Sequence, residues 1–118
     1  MLTPMKMKTK FSSKIAVGAL LLSCLAGWSA RADVNQTWAA NCAACHGKDG
    51  KGLTMMGRKL GIKDLTDAKV QGSFTDADAT KAIKEGVTDN GTQKMKAFGD
   101  KLSDDDIKAL VAHVRSLK

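Results

Sequence analysis

The sequence has no tyrosine and a single proline, Pro4, so most of the chain carries neither residue. Aromatic residues make up 4% of the 118 residues, which leaves few rings to fill a core. Cysteine is also scarce: the chain has three, of which Cys24 lies close to the N-terminus. Cys42 and Cys45 are the only thiols in the remaining sequence, which argues against a disulfide framework.

Acidic residues are missing from residues 1–32, which explains most of the basic charge. This segment contains five of the nineteen bases, namely Lys6, Lys8, Lys10, Lys14 and Arg31. Without it, fourteen bases face twelve acids, and the formal net charge falls from +7 to +2. So small an excess excludes a polyanion-binding domain, and we expect no nucleic-acid partner.

Long apolar runs are also absent, and the run at residues 15–22 is too short to cross a membrane easily. It follows the lysines and precedes Ala-Arg-Ala at 30–32, a typical signal-peptidase site. We therefore predict a secretory signal peptide over 1–32, and one periplasmic, monomeric domain over 33–118 with no membrane anchor. A retained anchor is one alternative, and lipidation of Cys24 within a lipobox-like Leu-Leu-Ser-Cys is another.

The central motif is Cys-Ala-Ala-Cys-His at 42–46, a pattern typical of covalent haem c attachment. On a helix, Cys42 and Cys45 are three residues apart and share one face, where two thiols can bond to one haem edge. His46 follows directly and can bind the iron. A haem would also supply the apolar body that the scarce aromatic residues do not.

Three different interpretations of the motif are weaker. A thioredoxin-like dithiol occurs near a βαβ pattern, and the sequence shows no strand alternation. A zinc site usually has four ligands, and residues 33–118 offer only Cys42, Cys45, His46 and the distant His113. The third interpretation is a chance pair of cysteines on a small helix.

A second iron ligand is sought among Met55, Met56, Met95 and His113. Met55 and Met56 follow His46 too closely to reach the opposite face of the ring easily. Met95 comes 49 residues after His46, in a segment expected to form an irregular loop over 87–102, and is the predicted ligand. His113 lies beside an apolar stripe and is interpreted as a packed helix residue.

Helical patterns dominate residues 33–118, so the predicted class is all-α. We expect helices over 34–45, 62–68 and 75–85, and a final helix after Ser103. Asp33, Thr75 and Ser103 are the expected N-caps, and Gly86 is the expected stop of the third helix. In the final helix, Lys108, Arg115 and Lys118 are expected to face water.

These motifs resemble the small bacterial class I c-type cytochromes with one haem. The likeness rests on residues 42–47, on Met-Lys-Ala-Phe-Gly-Asp-Lys-Leu-Ser at 95–103, and on the helix that includes 107–115. It implies three to four helices around one covalent haem, with crossing first and last helices. The family often has a proline after Gly57, where Arg58 stands here, and we expect the backbone of 56–58 to accept a hydrogen bond from His46.

The resemblance and the two ligands together imply an electron carrier rather than an enzyme. With His46 and Met95 both bound, the iron has no open position, and its partners are redox proteins. Lysines near the motif and Met95 are candidates for docking acidic partners: Lys48, Lys51, Lys94, Lys96 and Lys101. One alternative is a haem-bearing electron-port subunit of a periplasmic dehydrogenase or oxidase, and another is a haem enzyme or sensor with an open iron.

Overall fold

The structure is a computed structural model that describes residues 33–118. The predicted signal peptide and Cys24 lie outside the described residues. None of the helices in the described range is both long and apolar enough to cross a membrane. The elements in chain order are α1 (Val34–Asn41), α2 (Ala43–His46), α3 (Met55–Leu60), α4 (Ala68–Gly72), α5 (Asp76–Glu85), β1 (Val87–Asp89), β2 (Thr92–Met95) and α6 (Asp104–Ser116).

The predicted all-α class is confirmed, and the expected caps account for the helix ends. Asp33 accepts a hydrogen bond from the Asn35 amide, and Thr75 and Ser103 each form a capping box. Gly86 ends α5, as its sequence position predicts. These local signals fix where α1, α5 and α6 begin and where α5 stops.

The final helix α6 forms the centre of the core. Ile107 and Leu110 are each only 1% exposed, and α6 packs against both α1 and α5. The buried apolar cluster is completed by Trp38, Cys42, Ile83, Phe98, Val111 and Val114. The first and last helices therefore contact one another, as the resemblance implies.

The expected helix over 34–45 is interrupted at Cys42, which has φ −120°. The short α2 that follows is held by the chain that comes after it. The Thr54 hydroxyl donates to the Cys45 carbonyl at 2.9 Å, and the Gly52 amide donates to the His46 carbonyl at 2.8 Å. Because these contacts are tertiary, helical spacing alone does not reveal the break.

Two other segments differ from the sequence-based expectation. Helix α3 has no counterpart among the predicted helices, and the helix expected over 62–68 begins instead at Ala68. The expected loop over 87–102 contains a β-hairpin, in which Val87 pairs with Met95 and Asp89 with Thr92. Its turn residues Asn90 and Gly91 both have positive φ, as a type I′ turn requires.

Arg115 does not face water as expected, because it joins α6 to α4 and α5. Its guanidinium donates to the carbonyl oxygen of Gln71 at 2.6 Å and to that of Phe74 at 2.8 Å. It also pairs with Asp76 at 2.7 Å and lies 4.4 Å from the centroid of the Phe74 ring. Gln71 is buried and donates to the Val114 carbonyl at 2.8 Å, so this network ties three helices together.

Candidate functional site

One open cleft of about 350 Å³ brings together the four residues singled out from the sequence: Cys42, Cys45, His46 and Met95. This volume lies in the range of about 300–1,000 Å³ that is usual for cofactor pockets. Apolar side chains also line it: Ala40, Ala44, Met56, Leu60, Ile62 and Phe98. Residues separated by about half of the chain therefore share one surface.

Both motif cysteines are free thiols that line this cleft. Cys42 is buried, and its burial, with a smaller contribution from the neighbouring Cys45, raises its pKa from 9.0 to about 11. Cys42 is thus a protonated thiol at neutral pH. The amides of Cys45 and His46 both donate to the Cys42 carbonyl, which fixes the relative positions of the motif residues.

His46 ends α2 and presents a neutral imidazole to the cleft. Burial lowers its pKa from the usual 6.5, because desolvation disfavours the charged ring. Its Nδ1 atom is buried without a hydrogen-bond partner among the described residues. The expected hydrogen bond from His46 to the backbone of 56–58 is therefore wrong for this structure. The His46 ring lies close to the Trp38 ring, with 5.6 Å between the ring centroids.

Trp38 supports the motif from the core side. Its indole Nε1 donates to the Gly47 carbonyl at 3.0 Å, in a buried bond that holds the residue directly after His46. The ring also packs against His113, with centroids 4.8 Å apart. His113 is half-buried and does not line the cleft, in keeping with its interpretation as a packed helix residue.

Met95 is half-buried at the end of β2 and reaches the cleft from a different part of the chain than His46. A second thioether, that of Met56 on α3, lines the same cleft, although its short spacing from His46 argues against it as a ligand. Met55 is 87% exposed and is not among the lining residues. The spacing of residues along the chain does not predict that Met56, on α3, lines the cleft.

Basic residues line the cleft, and an exposed apolar residue lies close in the chain to one lining residue. Lys94, Lys96 and Lys101 are among its lining residues, whereas Lys48 and Lys51 are exposed outside the lining. Close to Met56 in the chain, Leu53 is 62% exposed, so apolar surface lies in the same chain segment.

These residues suit a covalently bound haem. Free thiols can form two thioether bonds, a neutral imidazole can bind iron, and a thioether can supply a second axial ligand. The apolar lining suits the flat apolar body of a haem, and no hydrogen bond among the described residues occupies the His46 Nδ1 atom. The arrangement offers the donors of a haem site in a single cleft.

Comparison with known proteins gives a consistent result. Residues 29–114 match the family model described as cytochrome C oxidase, cbb3-type, subunit III. The chain is 38% identical over 82 residues to the cbb3-type cytochrome c oxidase subunit FixP of Azorhizobium caulinodans. That match covers 70% of this chain but only 25% of FixP, so the chain spans about a quarter of that relative's length.

Two further matches are with proteins of similar size. Cytochrome c6 of Cladophora glomerata is 36% identical over 83 residues, which is 70% of this chain and 84% of that protein. The solved structure of the KustC0563 c-type cytochrome superposes with a TM-score of 0.65 at 34% identity, covering 73% of this chain and 98% of the other. Taken with the family match, these similarities show that the chain belongs to the cytochrome c family, as a small monohaem class I c-type cytochrome with covalently bound haem c.

Proposed function

We propose that this protein carries single electrons between redox partners through a haem whose iron is held by His46 and Met95. The observation that supports this most is the single cleft that gathers both motif thiols, the imidazole and the Met95 side chain. Family membership supports the broader role of electron carrier. The individual residue roles follow from chemistry and position.

Cys42 and Cys45 are the proposed attachment residues. Both residues line the cleft, and their thiols would hold the haem by thioether bonds, each S–H addition to a vinyl group forming one C–S bond and moving the proton to carbon. Because the two cysteines are close in the chain, the tethered cofactor is held along one edge. The buried bond from Trp38 to Gly47 then keeps His46 beside that edge.

His46 and Met95 are the proposed axial ligands because they approach from different structural units. Helix α3, which bears Met56, packs directly on α2, so Met56 belongs to the same unit as His46. Met95 belongs to the hairpin, which is separate from that unit. Two separate units would let His46 and Met95 hold the haem iron between them.

When bound, haem supplies a reversible one-electron couple, and the chain sets its properties. A sulfur ligand and an apolar lining both disfavour the extra charge of the ferric state, so Met95, Leu60 and Phe98 would raise the reduction potential. With His46 and Met95 both bound to it, the iron would be closed to oxygen and peroxide. This coordination is suited to electron transfer rather than to turnover of a substrate.

The test of these ligands compares Met95→Ala with Met56→Ala as the matched control, since both thioethers line the cleft. In Met95→Ala we expect loss of the sulfur-to-iron absorption band and a potential lower by on the order of 0.1 V, within the roughly 0.8 V over which axial ligands act. Met56→Ala should keep the band, and both variants should keep a c-type pyridine haemochrome spectrum. A band that survives in Met95→Ala would refute the proposed ligand.

The proposed docking surface consists of Lys94, Lys96 and Lys101, which line the cleft together with apolar side chains such as Met56 and Phe98. Cations beside an apolar lining suit an acidic redox partner, because opposite charges speed encounter and apolar contact holds the complex. The same cations should attract an anionic oxidant.

We expect the rate of oxidation by ferricyanide to fall as salt is raised, since the Debye length shrinks from about 30 Å at 0.01 M to about 10 Å at 0.1 M. Changing the three lysines of this surface to Gln should make the oxidation rate depend less on salt. The control variant changes three exposed lysines that do not line the cleft, Lys69, Lys108 and Lys118, to Gln, and its rate should keep more of the salt dependence. Equal slopes in the two triple variants would remove this surface from the proposal.

We further propose that residues 1–32 are a signal peptide and that the domain over 33–118 acts as a monomer in the periplasm. Mass spectrometry of the exported protein distinguishes a cleaved chain from an anchored or lipidated one. Cleavage after Ala32 supports the proposal, whereas a lipidated N-terminal Cys24 or an uncut chain contradicts it.

A second candidate role is that of electron-port subunit in a larger oxidase or dehydrogenase complex. The similarity to FixP, a subunit of a cbb3-type oxidase, favours this role over that of a haem enzyme or sensor with an open iron. Co-purification of the native protein with a membrane oxidase would support it, and recovery as a free monomer would support the diffusible carrier.

A further inference from the structure

The residue that ends α5, Gly86, has a backbone conformation that other residues rarely adopt. Its φ is +77° and its ψ is −179°. This combination lies in a region that is essentially restricted to glycine, because a Cβ atom clashes with the adjacent peptide groups. Helix termination alone does not demand it, since Gly61 ends α3 with the ordinary left-handed values of φ +68° and ψ +37°.

Gly86 also allows the Met95 segment to approach α5 closely. A Cβ atom placed on Gly86 would lie 2.6 Å from the carbonyl oxygen of Met95 and 2.9 Å from the amide nitrogen of Ala97. Both neighbours are backbone atoms, so neither can rotate away as the tip of a side chain could. Any residue other than glycine would therefore push the backbone of 95–97 off the end of α5.

Hydrogen bonds hold Phe98 and Gly99, which come directly after residues 95–97, to the same end of α5. The Phe98 amide donates to the Ile83 carbonyl at 2.8 Å, and the Gly99 amide donates to the Lys84 carbonyl at 3.1 Å. These carbonyls belong to the last turn of the helix, where no intrahelical donor remains for them. Phe98 is itself buried in the core, so the segment is fixed immediately after Met95.

We propose that Gly86 is a positioning residue for Met95. Its missing side chain lets the backbone of 95–97 lie on the end of α5, and this contact sets the Met95 thioether in the cleft. The inference rests on the proposed role of Met95 as an axial ligand. It adds that the strength of the sulfur–iron bond is set by a residue nine positions earlier in the chain.

Competition with imidazole in the ferric holoprotein measures that strength, because imidazole binds the iron only when the thioether leaves. Gly86→Ala should bind imidazole more tightly than the unchanged protein, by roughly 10-fold or more, given the strain expected at such a position. The matched control is Gly91→Ala, at the hairpin turn. Gly91 has nearly the same φ, +76°, but nothing lies within 4 Å of its added Cβ, so its imidazole affinity should stay within about twofold of the unchanged protein.

Met95→Ala separates failure of this inference from failure of the proposed function. If Met95→Ala binds imidazole no more tightly than the unchanged protein, Met95 is not the ligand, and both proposals fall. If Met95→Ala binds more tightly but Gly86→Ala does not, only the positioning role is refuted. Tighter binding in Gly91→Ala equal to that in Gly86→Ala would also refute it, since general hairpin strain would then be the cause.

A measurement on the unchanged holoprotein covers the case in which Gly86→Ala does not fold. The amides of Phe98 and Gly99 should exchange with solvent at least about 10-fold more slowly than that of Gly91, because their hydrogen bonds open only when the segment leaves α5. Exchange as fast as at Gly91 would show that the segment is not held there and would overturn the proposal.

Discussion

Replacing Arg115 with Met should destabilise the protein strongly, although the residue lies outside the cleft. The guanidinium bonds to the backbone carbonyls of Gln71 and Phe74, to the Gln71 side chain at 2.9 Å, and to Asp76. Methionine keeps much of the apolar stem but leaves part-buried carbonyl groups without their donors. Each such loss costs about 1–3 kcal/mol, and because these groups are only part-buried we expect a total toward the lower end, about 2–4 kcal/mol.

The ion pair with Asp76 accounts for little of this effect. The Asp76 side chain is 71% exposed, and exposed pairs contribute about 0–1 kcal/mol because water screens them. Asp76→Asn is therefore the matched control, with an expected loss below about 1 kcal/mol. Arg115→Lys keeps the charge but not the planar set of donors, and should fall between the two.

Chemical denaturation of the holoproteins, followed by far-ultraviolet circular dichroism, measures these differences. In a domain of this size, the loss expected for Arg115→Met corresponds to a fall in Tm of at least about 8 °C. If Arg115→Met and Asp76→Asn lose the same small amount, the carbonyl bonds do not stabilise the fold and the reasoning fails. Recovery of full stability in Arg115→Lys would show instead that charge alone is sufficient.

Two further predictions concern single hydrogen-bonding groups. Trp38→Phe keeps a ring in the core but leaves the Gly47 carbonyl without its donor, so the free energy of unfolding should fall by about 1–3 kcal/mol in denaturant titrations, and an unchanged value would contradict the role given to this bond. Hydrogen bonds from the Thr66 hydroxyl and amide lower the pKa of Asp64 below its ordinary value of 3.8. Because Asp64 is then ionised more easily in the folded than in the unfolded state, it should stabilise the fold above pH 3.8, and this stabilisation should be lost as the pH falls through the folded-state pKa. Nuclear magnetic resonance titration should find that pKa, and Thr66→Ala should raise it; no change in the variant would assign the shift to another cause.

Much of the local structure can be predicted from the sequence because its determinants are close in the chain. Thr75 and Ser103 cap their helices through residues three positions later, and the apolar spacing of α6 selects the face that is buried. The attachment motif is equally local, because its five residues bring two thiols and an imidazole together through one short helix. That Met95 is the second ligand stays a prediction, because spacing along the chain can suggest this residue but cannot show where its side chain lies.

The hairpin escapes prediction because its strands have three and four residues and are largely exposed. Alternation over so few residues leaves no readable pattern, even though Asn90–Gly91 is a clear turn signal. The roles of Arg115 and Gln71 are hidden for a related reason. A polar residue on a helix resembles a solvated one until the partners that bury it are known, and these come from α4 and α5 for Arg115 and from α6 for Gln71.

The sequence by itself determined the helical class and the caps of α5 and α6, and it suggested the chemistry of the motif, since each depends on residues within a few positions of one another. Only the tertiary structure decided which residues line the cleft, that Met56 shares it with Met95, and that Gly86 meets the Met95 backbone. Those facts depend on how separate segments pack, and packing joins residues whose distance along the chain carries no signal of their contact.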